Sequence, residues 1–455
     1  MKDKSRRLGT ESINSLLIRL STPAIIGMIV IALYNIVDAV FIGQGVGVDG
    51  IAAVTVVLPL HLFIMALSQM IGLGSGSIIS RSLGAGDMEK AEKTFGTAIL
   101  SALCLGFVLV VLLTAFSTEV LQLFGVTDKI FEKTIAYFRI IVFGAPFLML
   151  LITFNNIVRA EGDPKTAMVT MIITGIINAV LDYYFIFILN WGMHGAAVAT
   201  VTAQAVGVLY LVIYFMRNKS SLRFMLRYFV LKFKILGEII GVGAASFFRQ
   251  AIASLLVTIL NNLFHDYGTE VSFAVFGVLH RIIMFMLMPL FGILQGANPV
   301  IGFNFGACQF DRVKEVIKKA AFVNTGIVTV MWALAMIFPT AVFRMFSDDP
   351  VLIKEGVGAL RLNMMLAPLI GFQVIGNGMF QALGKIKVSI FLSMLRQAII
   401  LIPLLFVLPR FYGLNGIWGS YPISDFLASL ITGYFVYRQF HRFHLEECNL
   451  QKSRD

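Results

Sequence analysis

The sequence predicts an all-α polytopic membrane protein: twelve transmembrane helices in two six-helix bundles, related by a pseudo-two-fold axis along the membrane normal. Three observations carry this expectation. The 455 residues are 58% hydrophobic and 13% charged, with a mean hydropathy of +0.87, whereas a soluble domain carries about 25% charged residues. Apolar stretches long enough to span a bilayer recur along the whole chain. Motifs of the first half return in the second half, in the same order.

A bilayer core of about 30 Å needs about 20 apolar residues in a helix. Stretches of that kind centre near residues 30, 63, 105, 147, 178, 205, 252, 285, 330, 368, 397 and 426. Polar, charged or glycine-containing breaks separate them. The opening "MKDKSRRLGTESINSLLIRLSTPAIIGM" turns from basic to apolar as a signal peptide does. It lacks a small-residue cleavage site and its apolar run is too long, so it reads as a retained first span.

Lysine and arginine set the orientation, because cytoplasmic loops carry the excess. With the N-terminus inside, the inner segments hold basic runs from Lys2 to Arg7, Arg81 to Lys93, Arg217 to Lys234 and Arg312 to Lys319. Arg159, Lys165, Lys385, Lys387 and a run from Arg438 to Arg454 complete that side. The outer loops and adjoining span ends hold only Lys129, Lys133, Arg139, Arg344, Lys354, Arg361 and Arg410. This asymmetry predicts a multi-pass protein of the cell (inner or plasma) membrane with both termini cytoplasmic. It accounts for the net charge of +11 without nucleic acid. Cys104, Cys308 and Cys448 have neither metal-ligand nor disulfide spacing.

The repeat is the most informative feature. "RSLGAGDMEKAEK" closes the second span and "FNFGACQFDRVKE" the eighth; "VRAEGDPKTAM" follows span four and "FQALGKIKVSI" span ten. Gly84 pairs with Gly306 and Gly162 with Gly384 at an offset of 222, while "WGMHGAA" and "YGLNGIW" open spans six and twelve at 221. The chain is a duplicated six-helix unit. Six is even, so both copies enter the membrane in the same direction and leave a cavity between two bundles, as in several secondary transporters. The expected units are 1–216, a basic cytoplasmic linker over 217–234 that reads as an amphipathic surface segment, and 235–455.

With these features in place, the chain resembles the multidrug and toxic compound extrusion (MATE) transporters, and within them a DinF-like branch. The resemblance covers nearly the whole chain. It rests on "STPAII" with "LYNIVDAVFIG" in span one, "GLGSGSIISRSLGAGD" after span two and "FNNIVRAEGDPK" after span four. "NAVLDYYFIF" in span five and "WGMHGAAVAT" opening span six complete it. It implies an antiporter, not an enzyme, that expels amphipathic, often cationic, small molecules. The coupling ion would be the proton, with sodium possible, and no other cofactor is expected. Membrane lipids are the remaining partners, and a monomer is expected.

The residues themselves direct attention to Asp38. A charged Asp at a helix centre costs about 2.5–3.5 kcal/mol on insertion scales, so it must neutralise or face a wet cavity or a partner. Tyr34 and Asn35, four and three residues earlier, are its neighbours on the helix surface. Pro23, below them, removes a backbone hydrogen bond and can act as a hinge. Asp182 is the second intramembrane acid, with Asn178 one turn before it; span four offers Asn155 and Asn156. The resemblance implies that an aspartate on helix one faces an Asn/Asp pair on helix five and an Asn on helix four. By position these are Asp38, Asn178, Asp182 and Asn155, with Tyr137 and Thr200 as further polar neighbours. Two carboxylates in a poorly solvated pocket lose hydration and repel, which favours keeping a proton between them. Asp38 and Asp182 are therefore the proton-coupling candidates. The asparagines have an alternative reading as interhelical packing groups.

The second half departs from this pattern. The offset partners of Asp182 and Asn178 are Leu404 and Ile400. That half instead places Arg249, Arg281 and Arg396 in its spans, with Gln373, Asn377 and Gln381 on span ten. Either these arginines snorkel or pair with Glu238 and Asp425, or they form a cavity wall suited to anionic groups. The second possibility leaves open a flippase or exporter of an anionic or lipid-linked substrate. "GLGSGS" at 72–77 lies within a span and reads as close helix packing. The scattered His61, His194, His265 and His280 suggest no metal site.

Overall fold

The computed structural model describes residues 3–217, 219–223 and 226–452, and over these it is helical, with no strand. Lys2 and Arg454, two of the basic residues used for orientation, lie outside the described residues. The first six spans are α1 (Ile13–Gly45), α2 (Val48–Gly84), α3 (Met88–Ala115), α4 (Asp128–Phe143 and Ala145–Ala160), α5 (Pro164–Ile188) and α6 (Gly192–Met216). The next six are α7 (Phe233–Tyr267), α8 (Glu270–Gly306), α9 (Phe310–Ile337), α10 (Pro350–Asn363 and Pro368–Ala382), α11 (Ile386–Tyr412) and α12 (Leu414–Lys452). Nine of the described helices are long and apolar enough to cross a bilayer, and α4 and α10 add one bent span each. α12, made more polar by Asp425 and several serines, brings the architecture to twelve.

The bends of 47° in α4 and 51° in α10 fall just before Pro146 and Pro368. Proline lacks the N–H that would continue the helical ladder, so these two spans break at equivalent places. α1, by contrast, runs unbroken through the buried Pro23.

The duplication is written into the backbone. Gly162 and Gly384 both adopt positive φ (89° and 72°), as do Gly192 and Gly413 (52° and 56°). Gly86 and Cys308, again equivalent, have φ of 75° and 57°. Each of these residues ends or begins a helix, where a left-handed residue lets the chain reverse.

The two bundles meet along a pseudo-symmetric seam. A Cβ on Gly84 would lie 1.9 Å from the Phe303 carbonyl oxygen, and a Cβ on Gly306 would lie 2.0 Å from that of Arg81. Phe303 is the offset partner of Arg81, so α2 and α8 cross reciprocally with only hydrogen atoms between their backbones. α2 also packs closely on α7 through Gly74 and Gly243, and α8 on α1 through Gly292 and Gly296. Beside the seam, Arg81 Nη2 lies 3.4 Å from Glu238 Oε1 and Lys90 Nζ 3.2 Å from Glu238 Oε2. Glu238 therefore ties α7 to α2 and α3; it is not a partner of the arginines in its own bundle, as the sequence had allowed.

The segment joining the bundles is described in part, over 217, 219–223 and 226–234. Its described helical piece is a single turn, Leu226–Tyr228. Ser220, Ser221 and Leu222 are buried, and Thr97 Oγ1 of α3 donates to the Val230 carbonyl at 3.2 Å. The Tyr228 carbonyl lies where a side chain on Gly96 would be. The linker is laid onto the first bundle as packed backbone.

Candidate functional site

α1 and α5 approach closely because Gly175 of α5 lies against Val30 and Tyr34 of α1. That contact brings Asp38 and Asp182 face to face, close enough for a hydrogen bond once one of them carries a proton. Asp182 is fully buried, and among the described residues neither of its carboxyl oxygens has a hydrogen-bond donor; Asp38 Oδ1 also lacks one. Tyr34 and the buried Tyr137 lie within electrostatic range of both acids. Beyond the pair, Phe41, Tyr183 and Phe187 form an aromatic cluster with centroid separations of 5.6–6.3 Å. Past Tyr183, α5 relaxes into a π-helical turn over Tyr184–Ile188, a distortion that frequently accompanies functional sites.

Next to the acids lies a cavity of about 160 Å³ inside the first bundle. Tyr34, Asn155, Asn178 and Thr200 line it, with apolar walls from Leu148, Leu151 and Met171. Asn178 Nδ2 reaches Thr200 Oγ1 at 3.4 Å, and Thr200 donates in turn to the Ala196 carbonyl at 3.1 Å. Asn155 Nδ2 donates to the Leu151 carbonyl at 2.9 Å. The carbonyl oxygens of Asn155 and Asn178 are buried without a donor, as are the Asp182 oxygens. The site thus holds several unmatched acceptors, an arrangement suited to protons, cations or donor groups of a ligand.

The structure separates some residues that the sequence grouped. Asn35 is exposed and lines a different, shallow recess with Ile36, Ala39 and Val40. Asn156 points away from Asn155: its Nδ2 donates to Gln69 Oε1 at 3.1 Å and its Oδ1 accepts from Arg159 at 3.1 Å. His61, Gln69, Arg159 and Gln204 line the cavity as well, and sequence reasoning did not place them there. Arg159 had been read as a loop charge, yet it is only 7% exposed.

In the second bundle the corresponding positions carry polar groups that pair with one another. Leu151, Thr174 and Gln204 line the first cavity; their counterparts, at an offset of 222 for the first two and 221 for the third, are Gln373, Arg396 and Asp425. Arg396 Nε is hydrogen-bonded to the buried Asp425 carboxylate. Gln373 Nε2 donates to the Asp425 carbonyl at 2.8 Å and to Ser429 Oγ at 2.6 Å. Asn377 accepts from Thr432 Oγ1 at 3.5 Å, and Gln381 of α10 donates to the Val242 carbonyl of α7 at 3.2 Å, within the same bundle. Arg281 is exposed, contrary to its expected burial, and Arg249 is half-buried.

Comparison with known proteins matches this geometry. The MatE family pattern fits residues 23–184 and 245–407, one match in each bundle. The chain is 29% identical over 433 residues to the multidrug export protein MepA of Staphylococcus saprophyticus, covering 94% of this chain and 95% of that protein. Among solved structures, the MATE multidrug transporter DinF-BH in complex with R6G is 38% identical, with a TM-score of 0.88 over 96% of this chain and 98% of that one. A MATE in the bent conformation superposes with a TM-score of 0.93 at 26% identity, over 98% of this chain and 100% of that one. A MOP superfamily transporter from Pyrococcus furiosus, described as having a binding pocket of reverse polarity, is 27% identical with a TM-score of 0.90, over 98% and 99% of the two chains. With twelve helices in two reciprocal bundles and a family match in each, the chain belongs to the MatE family of membrane transporters.

Proposed function

We propose that the protein is a multidrug efflux antiporter, exporting amphipathic cations in exchange for protons through the pocket beside Asp38 and Asp182. One observation carries this reading: a buried Asp182 with no donor among the described residues, facing Asp38, whose Oδ1 also lacks one. Two adjacent carboxylates in such a place are held either by a shared proton or by a cation, because leaving both charged and unpaired costs several kcal/mol. Proton and cationic substrate then compete for the same pair. A proton that enters down a 100 mV potential releases about 2.3 kcal/mol, enough to help displace a bound cation. The names of the MepA relatives and the R6G complex of DinF-BH point to the same substrate class.

The cavity is smaller than the roughly 300–1,000 Å³ of sites for drug-sized ligands. A large cation must therefore widen it, and α1, with Pro23 inside it, is the element we assign to that movement. On this reading the protein works in the cell membrane as a monomer with both termini in the cytoplasm, the side to which the excess of lysine and arginine in the connecting segments assigns them.

Reconstituted into liposomes, the protein will move ethidium in response to a pH gradient, and Asp38→Asn and Asp182→Asn will each abolish that movement without loss of folded protein. Full transport by both variants overturns the reading. A second reading, export or flipping of an anionic or lipid-linked compound, is favoured by Arg281 and Arg249, which have no ion pair among the described residues. Transport of a fluorescent anionic lipid that fails in Arg281→Gln, with no ethidium movement, would select it.

A further inference from the structure

A second polar space lies on the seam between the bundles, separate from the acid pair. Its first-bundle wall is made by Ser77, Ser80, Asn156 and Arg159, and its second-bundle wall by Gln295 and Asn298. Gly72 and Gly76 leave room for it on α2. Its open volume is about 40 Å³, room for a small ion and a few waters but not for an organic compound.

Arg159 is the reason this space needs an occupant. The guanidinium is more than nine-tenths buried, and among the described residues its one side-chain hydrogen bond goes to Asn156 Oδ1. No carboxylate pairs with it there: Glu161, two residues on, is engaged by Tyr214, Ser220 and Ser221. An arginine does not escape the cost by losing its proton. A buried charge without a partner is among the costliest features a fold can carry, and water supplies dipoles but no counter-charge.

The rest of the wall can serve an anion. Gln295 Oε1 and Asn298 Oδ1 are buried with no donor. The oxygen and nitrogen ends of an amide are alike in shape, so half a turn of either side chain presents N–H groups to the space. Gln295 Nε2 gives up little by turning, because its present contact is a weak one to the Met28 sulfur at 3.8 Å.

We propose that this inter-bundle cavity binds a small inorganic monoanion of chloride size, which neutralises Arg159 and braces the two bundles in the arrangement seen. Donors come from both bundles, so the site exists only while α2 and α4 remain against α8. Ser77 Oγ already crosses the same seam to the Gln381 carbonyl at 2.7 Å. The anion is thus a ligand of one conformation, and its release accompanies the rocking of the bundles. This does not depend on which ion drives transport.

The test uses the full-length protein in detergent. Replacing gluconate with chloride at equal ionic strength will raise the melting temperature by about 1–2 °C, the shift expected for a chain of this length when the site is about ten times above half-saturation. Crystals soaked in bromide will show an anomalous peak within hydrogen-bond distance of the Arg159 guanidinium. Arg159→Gln will lose both signals. Should that variant fail to fold, Asn298→Leu fills the cavity while leaving the charge, and will also lose them. Equal melting in the two salts overturns the proposal, as does a chloride effect that survives Asn298→Leu, or bromide found only on the surface.

Discussion

Arg396 and Asp425 form a buried ion pair at the positions that Thr174 and Gln204 occupy in the wall of the first-bundle cavity. One copy of the repeat lines a pocket at these positions, and the other carries a pair of opposite charges there. The two copies of the repeat are therefore chemically unlike. The first bundle presents unmatched acceptors, whereas the second is braced from within by Gln373, Ser429 and this pair.

If the pair is a brace, breaking one side of it will hurt more than removing both. Asp425→Ala strands a guanidinium and will cost about 3–5 kcal/mol, whereas the double variant Arg396→Met, Asp425→Leu will be close to neutral. Thermal unfolding of the purified proteins reads the difference. Binding affinity for a cation in the first bundle will be unchanged in the double variant.

The seam gives a second prediction. Adding a methyl at Gly84 or Gly306 places a carbon about 2 Å from a backbone oxygen of the opposite bundle, a contact that only a backbone shift can relieve. Gly84→Ala and Gly306→Ala will each lower the melting temperature. The pair will be less than additive, because one separation of α2 from α8 relieves both clashes.

Glu161, in the connection between α4 and α5, supplies a pH dependence. Burial pushes its carboxyl up to about 7, although Tyr214, Ser220 and the Ser221 amide all donate to it. An acid whose native pKa lies above its unfolded value binds more protons when folded in the window between them. Stability therefore falls as pH rises from about 4.5 to about 7, by about 3 kcal/mol for this group. Glu161→Gln removes the titration, so its melting temperature will fall less than that of the parent between pH 5 and pH 8.

Much of this was legible in the chain because lipid imposes simple rules. All twelve expected span centres fall within the helices observed. The offset that relates Gly84 to Gly306 in sequence also relates their backbone contacts in space. Spacing alone did less well at the site. Tyr34 and Asn35 flank Asp38 on opposite sides of α1, and only the packing of α5 decides which flank lines the cavity. Arg159 sits one residue from the end of its helix, so its burial between two cavities left no mark in local composition. The ion pair of Arg396 and Asp425 joins α11 to α12, and no local pattern announces a contact between separate spans.

The account rests on Asp38 and Asp182 giving up a shared proton when a cation takes their place. Proton release can be counted directly, by adding ethidium to the purified protein in weakly buffered solution with a pH indicator. The account predicts about one proton released per cation bound, and none from Asp38→Asn or Asp182→Asn. Tight ethidium binding by the parent protein with no change in pH would contradict it.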